Sequence, residues 1–430
     1  MAARSENKRV IFHVDVNSAF LSWEAARRVK NGEADIRMIP SAIGGDRDKR
    51  TGVILAKSIP AKKYGIRTGE AVSSALRKMP ELYLARPDFR LYMECSHAFM
   101  KICEEYSPLV EKFSIDECFI DMTGMSKVFP DIIKAAYELK NRIRDELGFT
   151  VNVGVGSNKL LAKMASDFEK PDKVHTLFKS EIKEKMWHLP VRELYSVGRA
   201  TAEKLVKEHI YTIGELASAD LKRLQRIAGF KGGEVLNRFA NGIDDSPVSP
   251  EREKAKGYSI STTLEHDIKS SEEGKRVILE LADSVAARMR ADGAKAQCIS
   301  VTVRGNDFRN HSHQKKISSS TDVTSEIYDI STALFDELWN RKTPLRLIGI
   351  SLTDLCDEDE EQLSLFETIG EESSIKDRLA DKAVDEIRKK FGKSTIMPGT
   401  LVENTVGAGK KYEAQIERMK NKPNGKKFEK

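Results

Sequence analysis

The segment "FSIDECFIDM", Phe113 to Met122, restricts this chain more than any other. Phe113, Ile115, Phe119, Ile120 and Met122 give it the apolar character of a strand, yet Asp116 and Glu117 stand side by side in its middle. Neighbouring side chains of a regular strand point to opposite faces, so adjacent carboxylates could not serve one site there. They can if the chain turns between "KFSI" and "CFIDM". That places both at one end of a sheet.

The flanking segments supply the rest of such a sheet. A first strand, "RVIFHVDV" (Arg9 to Val16), ends at Asn17, which is expected to cap a helix running through "SAFLSWEAARRVK" to Gly32. A basic, β-rich stretch follows from Gly44 to Gly69, and a helical pattern begins after Tyr92. Pro130 opens a helix with Ile132, Ala136, Leu139, Ile143 and Leu147 on one face, and Gly148 ends it. The strand "TVNVGVG" then runs into a helix from about Asn158 to Phe168. With residues 20–85 set aside as an insertion, the order is βαββαβ, that of a ferredoxin-like sheet. The first and third strands of that sheet are central neighbours, so Asp15 can approach the acidic pair. Three converging carboxylates repel unless divalent cations neutralise them. Oxygen ligands suit Mg²⁺, and two such ions roughly 3.5–4 Å apart fit a phosphoryl transfer. Taken alone, the pair is more often the polar tip of an exposed hairpin, and an Asp like Asp15 often caps a helix.

A helical segment spans 178–247, and "DDSPVSPEREKAKG" (Asp244 to Gly257) has the composition of a linker. From 257 to 356 the pattern is strand, long helix, two strands, helix, strand, a second compact α/β unit. After an acidic run, Asp357 to Glu361, Ser374 is expected to cap a helix to Phe391, with Ile375, Leu379, Ala383, Ile387 and Phe391 at four-residue steps and Gly392 as its stop. The Lys-rich stretch from Gly409 has no core pattern and is expected to be disordered. With 72 Lys plus Arg against 66 Asp plus Glu, the charge balance permits a polyanionic partner without demanding one. Five scattered cysteines without a C-x-x-C pair argue against a disulfide framework or zinc site and for a reducing, cytoplasmic setting. Neither a signal-like apolar run nor a membrane-length segment is read in the sequence.

Four stretches in this order, "HVDVNSAF", "AKSIPAKKYGIRTG", "YSPLVEKFSIDECFIDMT" and "VGVGSNKLLAKMASDFEKPD", resemble the Y-family translesion DNA polymerases, closest to the bacterial DNA polymerase IV class. The resemblance covers roughly Arg9 to Phe366. It implies an α+β right-hand polymerase: palm at 1–19 and 86–177, small fingers at 20–85, a helix–hairpin–helix thumb at 178–247, a linker at 248–256, an α/β little finger at 257–356, and a tail at 357–430. By the same resemblance Asp15, Asp116, Glu117 and the Val16 carbonyl would bind two Mg²⁺ ions. Phe20 would be the steric gate against a 2′-hydroxyl, and Val53 would lie in the roof over the nascent base pair. Lys62 and Lys170 would contact the triphosphate of the incoming dNTP. The family more often has Arg where Lys62 stands and Tyr where Ile59 stands, so bidentate geometry and a hydroxyl donor are lost there. Ser114 precedes the acidic pair as in the family.

Primer–template DNA is the expected partner. In "LYSVGRATAEKL" and "LQRIAGFKGGEVL", which look like two helix–hairpin–helix elements, Gly198, Gly229 and Gly232 would let backbone approach phosphates. Arg304, Arg309, Lys315 and Lys316 are expected to form a positive sheet face that contacts phosphates without reading bases. "QLSLF", with Gln362, Leu363, Leu365 and Phe366, resembles the pentapeptide that docks on the bacterial sliding clamp. The expected activity is low-fidelity, template-directed DNA synthesis past damage by a monomer, without proofreading. A nucleotide cyclase on a similar palm and a non-catalytic DNA-binding scaffold are the alternatives weighed against it.

Overall fold

The computed structural model describes residues 9–45, 52–251, 254–357, 371–392 and 395–401. The "QLSLF" pentapeptide and the Lys-rich stretch from Gly409 lie outside them. The chain divides into two compact units, residues 1–47 with 52–252, and the remainder.

In the first unit the elements run β1 (Ile11–Val16), α1 (Ala19–Lys30), β2 (Ser41–Gly44), β3 (Ile54–Lys57), α2 (Ile59–Lys63), α3 (Val72–Lys78), β4 (Tyr83–Ala85), α4 (Phe89–Glu104), β5 (Val110–Lys112), β6 (Glu117–Asp121), α5 (Ile132–Leu147), β7 (Val151–Gly156), α6 (Lys159–Ser166) and β8 (Val174–Leu177). The main sheet has the order β5-β6-β1-β7-β8. Its first four strands in that order are the ferredoxin-like arrangement, with β1 central between β6 and β7, both antiparallel to it. β8 adds an edge strand parallel to β7. The helical pattern expected after Tyr92 begins earlier, at Phe89, where Asp88 caps α4 by accepting the Leu91 amide. Gly148 ends α5 at φ 76°, a conformation that costs glycine little. β2, β3 and β4 form a separate small sheet, order β3-β2-β4, with its own core around Ile54, Ile66 and Val72.

One expectation at the head of α1 fails. Ser18, not Asn17, stands at the cap position, in left-handed backbone at φ 49° and without a side-chain cap bond. Asn17 is buried instead. Its amide nitrogen donates to Asn152 Oδ1 at 3.1 Å, and its oxygen accepts the Asp172 amide at 3.0 Å. A short polar side chain that satisfies two buried partners is worth more there than a solvent-facing cap.

α6 lies directly on β7. A Cβ at Gly154 would collide with the Ala162 carbonyl and the Ser166 amide, so glycine is what permits the approach. Beyond β8 the unit is helical: α7 (Ile182–Lys185), α8 (Arg199–Lys207), α9 (Ile213–Ser218), α10 (Leu221–Ala228) and α11 (Phe230–Ala240) around a core that includes Leu205, Ile213, Leu224 and Leu236. Gly229 alone, at φ 81°, joins α10 to α11. The first expected helix–hairpin–helix, Leu194 to Leu205, holds one helix, α8, with extended chain at Leu194 and a three-residue 3-10 turn, Val191–Glu193, before it.

The second unit contains β9 (Tyr258–Ile268), α12 (Ser271–Ala291), β10 (Ala294–Gly305), β11 (Asn310–Thr321), α13 (Thr324–Leu338), β12 (Leu345–Asp357) and α14 (Glu371–Phe391). Its antiparallel sheet has the order β11-β10-β12-β9. Ile299, Val301 and Val303 turn inward to the core shared with α12 and α13.

α14 starts at Glu371 rather than at Ser374, and it is inverted relative to its apolar pattern. Ile375, Leu379 and Phe391 are exposed by 57%, 63% and 61%. The face turned to the unit is charged. Arg290 on α12, only 4% exposed, reaches Asp385 at 2.7 Å and Asp381 at 3.1 Å. Asp381 also accepts the Thr324 amide at 2.8 Å, and Arg388 reaches Asp283 at 2.9 Å. A buried guanidinium left unpaired would cost far more than exposing a few aliphatic side chains, so ion pairing sets the helix rotation.

Candidate active site

β1 and β6 place Asp15 in register with Glu117. Asp116 sits in the turn just before β6, and its carbonyl accepts the Val16 amide at 3.0 Å. The Phe113 and Ser114 amides both donate to the Glu117 carbonyl at 3.1 Å, which closes the turn. Asp15, Val16, Asp116 and Glu117 therefore gather at one end of the main sheet.

Their side chains do not close on one another. Among the described residues, no three His, Cys, Asp or Glu side chains are grouped tightly enough to form a ready metal centre. Each carboxylate instead has one oxygen held by a neighbour. Asp15 Oδ2 accepts from Lys170 Nζ at 3.0 Å, and Asp116 Oδ1 from the Ser114 hydroxyl at 2.5 Å. Glu117 Oε2 accepts from Lys163 Nζ at 2.5 Å and lies 3.1 Å from His13 Nε2. The other oxygen of each has no hydrogen-bond partner among the described residues. Facing like charges across a sheet end, Asp15 and Glu117 turn to lysines, and Asp116 to the neighbouring Ser114 hydroxyl.

Burial, helped by the nearby Glu117 charge and opposed by Lys170, pushes the Asp15 carboxyl up to about 6. Burial acts the same way on Glu117, but bonds from His13 and Lys163 overcome it and hold that carboxyl down to about 2. Burial would also lower the Lys170 ammonium, but Asp15 and Asp167 outweigh it and raise it. Burial pushes the His13 imidazole down. Adjacent acids are thus held at different proton affinities by their surroundings. The donor set, three carboxylates with one oxygen each left over, fits a hard divalent cation.

Lys170 is carried by the loop between α6 and β8. Asn152 Nδ2 donates to the Ser166 and Glu169 carbonyls, and Asn17 receives the Asp172 amide, so buried amides fix this loop against the sheet. Beside the carboxylates is a cleft of about 230 Å³ lined by Asp15, Val16, Phe20 and Asp116 on one side and by Leu55, Ala56, Lys57 and Thr68 on the other. Phe20 is half-buried and stacks on Tyr92, centroids 4.6 Å apart at 22°, with Trp23 and Phe89 meeting it edge-on. The cleft contains neither Val53, which is 40% exposed and bridges to Ala71, nor Lys62, which is exposed on α2.

Sequence reasoning passed over His13, Lys163 and Lys57. His13 stands two residues before Asp15 and so shares its strand face, a signal that was available. Lys163 is a cation on an otherwise largely buried helix. Lys57 donates to Thr68 Oγ1 at 3.3 Å, and burial and the nearby Lys62 charge lower its ammonium.

The expected DNA contacts are placed unevenly. At Gly198, before α8, and at Gly229 a Cβ would meet no atom within 4 Å, so packing does not explain either glycine; Gly232 lies in the first turn of α11 against Ala228. The single positive sheet face is corrected. β10 alternates, so Arg304 shares the open face with Lys316, whose register partner is Cys298. Lys315 pairs with the inward Ile299 and lies on the helix-covered side of the exposed edge strand β11. Arg309 is in the β10–β11 turn.

Comparison with known proteins finds three matching families. Residues 14–167 match the impB/mucB/samB family, 255–365 its C-terminal domain, and 192–244 the DNA polymerase-iota thumb domain. DNA polymerase IV of Clostridium acetobutylicum is 46% identical, covering 92% of this chain and 98% of that protein. DNA polymerase IV 1 of Bacillus subtilis is 36% identical over 92% of this chain and 94% of its own. Among solved structures, a Y-family DNA polymerase chimera is similar with a TM-score of 0.70 at 22% identity, covering 81% of this chain and 99% of that one.

Proposed function

The chain belongs to the impB/mucB/samB family of Y-family DNA polymerases, alongside DNA polymerase IV, and on that premise we propose how its residues carry out the reaction. It is a metal-dependent, DNA-directed DNA polymerase of the translesion class, with primer–template DNA and dNTPs as substrates. A primer 3′-hydroxyl attacks the α-phosphate of a dNTP, and pyrophosphate leaves.

Asp15, Asp116, Glu117 and the Val16 carbonyl would hold two Mg²⁺ ions. When bound, these would lower the pKa of the 3′-hydroxyl and neutralise charge on the transferring phosphate. The observation that carries this assignment is the free oxygen left on each of three carboxylates at one sheet end, beside the cleft that Phe20 lines. The Phe20 ring, backed by Tyr92, would press against the sugar and exclude a 2′-hydroxyl. Lys170 and Lys62 would bind the triphosphate as point charges, joined by Lys57 from the cleft wall. Val53 would cover the nascent base pair.

The main sheet with α4, α5 and α6 would act as the palm, the small sheet as fingers, α7 to α11 as thumb and β9 to β12 with α12 and α13 as little finger. Gly198, Gly229 and Gly232 would admit phosphates, and Arg304 and Lys316, which share the open sheet face, would hold the duplex by charge together with Arg309 in the adjoining turn. Gln362 to Phe366 would dock the monomer on a bacterial sliding clamp.

The test is primer extension on undamaged template with dNTPs and Mg²⁺. The wild type should add nucleotides, and Asp116→Ala/Glu117→Ala should bind DNA without extending it. Equal extension by both proteins would remove the carboxylates from catalysis. Binding without extension by either would favour the scaffold reading.

A further inference from the structure

His13 is fully buried, yet both ring nitrogens are engaged. Nδ1 lies 2.7 Å from Ser166 Oγ and Nε2 lies 3.1 Å from Glu117 Oε2. The Ser166 hydroxyl donates to the Lys163 carbonyl at 2.8 Å and also lies within bonding reach of Nδ1. When the hydroxyl turns its one hydrogen to Nδ1 instead, the ring keeps its own on Nε2, which faces the carboxylate and lies 3.5 Å from Lys163 Nζ. Lys163, one helical turn before Ser166, brings its Nζ to the same Oε2 at 2.5 Å. Its ammonium also lies over the Phe113 ring at 5.3 Å and the Tyr195 ring at 5.7 Å. Packing thus restricts its position. His13 Nε2 and Lys163 Nζ both meet one oxygen of Glu117 and leave Oε1 alone.

We infer that His13, anchored by Ser166 and assisted by Lys163, is a positioning residue that holds Glu117 by Oε2 and so presents Oε1 to the catalytic cation. This rests on the reading of Glu117 as a metal ligand. A glutamate has three side-chain torsions, and holding one oxygen from two directions fixes the other without occupying it. A buried ring on the central strand is a rigid support for such a bond, because β1 is paired on both sides. Partners of this kind contribute to metal binding although they never touch the ion.

The test reads metal affinity without turnover. Mn²⁺ binding to the enzyme on a primer–template with a dideoxy 3′ end is followed by electron paramagnetic resonance. His13→Leu should weaken Mn²⁺ binding by about tenfold to a hundredfold. Ser166→Ala should weaken it in the same direction, and His13→Gln, whose amide can still donate to Oε2, should recover much of the loss. Unchanged Mn²⁺ affinity in a folded His13→Leu protein overturns the inference. Should that variant not fold, Ser166→Ala decides in the same way, since it leaves the ring in place. Asp116→Ala separates the two levels. If it abolishes Mn²⁺ binding while His13→Leu does not, only the role of His13 falls. If it too leaves binding unchanged, the carboxylate site falls and the inference with it.

Discussion

Lys170 Nζ lies 3.0 Å from Asp15 Oδ2 and 2.8 Å from Asp167 Oδ1, so one cation bridges a proposed metal ligand and the loop that carries the lysine. On the proposed reading, the triphosphate of an incoming dNTP would compete with Asp15 for this ammonium. A charged hydrogen bond contributes about 1.5–3 kcal/mol, so Lys170→Ala should lower kcat/KM for dNTP by roughly 10- to 100-fold. Most of the loss should appear in KM. Steady-state single-nucleotide insertion measures this, and an unchanged KM would remove Lys170 from the nucleotide site.

Phe20 is supported by three aromatic rings rather than by the cleft alone. Phe20→Ala should raise ribonucleotide insertion relative to dNTP by roughly 10- to 100-fold, because a steric barrier is removed from one competitor only. Parallel insertion of dCTP and CTP opposite guanine tests it. Equal discrimination in the two proteins would show that another group reads the sugar.

Gly154 sets the separation of α6 from β7, and α6 carries Lys163 and Ser166. Gly154→Ala forces backbone against side chain in a close-packed region. Overpacking of this kind typically costs about 1–3 kcal/mol, more where the opposing atoms are backbone. Thermal unfolding should show a clear loss in Tm, whereas Gly198→Ala, with open space around it, should leave Tm nearly unchanged.

α14 offers a contrast between charge and apolar pattern. Arg290→Ala leaves Asp381 and Asp385 without their buried partner and should cost about 3–5 kcal/mol of local stability. Leu379→Ala, at an exposed site, should stay within about 0.5 kcal/mol. Hydrogen exchange along α14 distinguishes them: protection should fall in the first variant and persist in the second. The opposite ranking would mean that the apolar stripe holds this helix.

Much of the polymerase was legible in the chain itself. The acidic pair inside "FSIDECFIDM" required a turn, and a turn between β5 and β6 is what surrounds Asp116. The element order read from periodicity led to a sheet with β1 in its centre, since local patterns and short connections leave few ways to pair four strands. The glycine after α5 announced its own backbone conformation.

Other features were decided only by tertiary structure. His13 meets Glu117 across 104 positions of sequence, and Asn17 meets Asp172 across 155, so no local pattern could name either partner. α14 displays the same limit. Periodicity identified its apolar stripe correctly, but a buried arginine on another helix determined that the opposite face turns inward. Lysine 57 became part of the cleft wall only when β3 was set beside β1 and α1. The sequence by itself determined the strands and helices around the acidic pair and which carboxylates share a sheet end, because those follow from short-range sterics and hydrophobic pattern, whereas the stretch from Gly44 to Gly69 read as β-rich also holds the helix α2. Ser114 holds Asp116 from two residues away, but which oxygen of Asp15 and of Glu117 is held, and which is left for a cation, was decided by Lys170 and Lys163, cations that only the folded chain brings within about 3 Å.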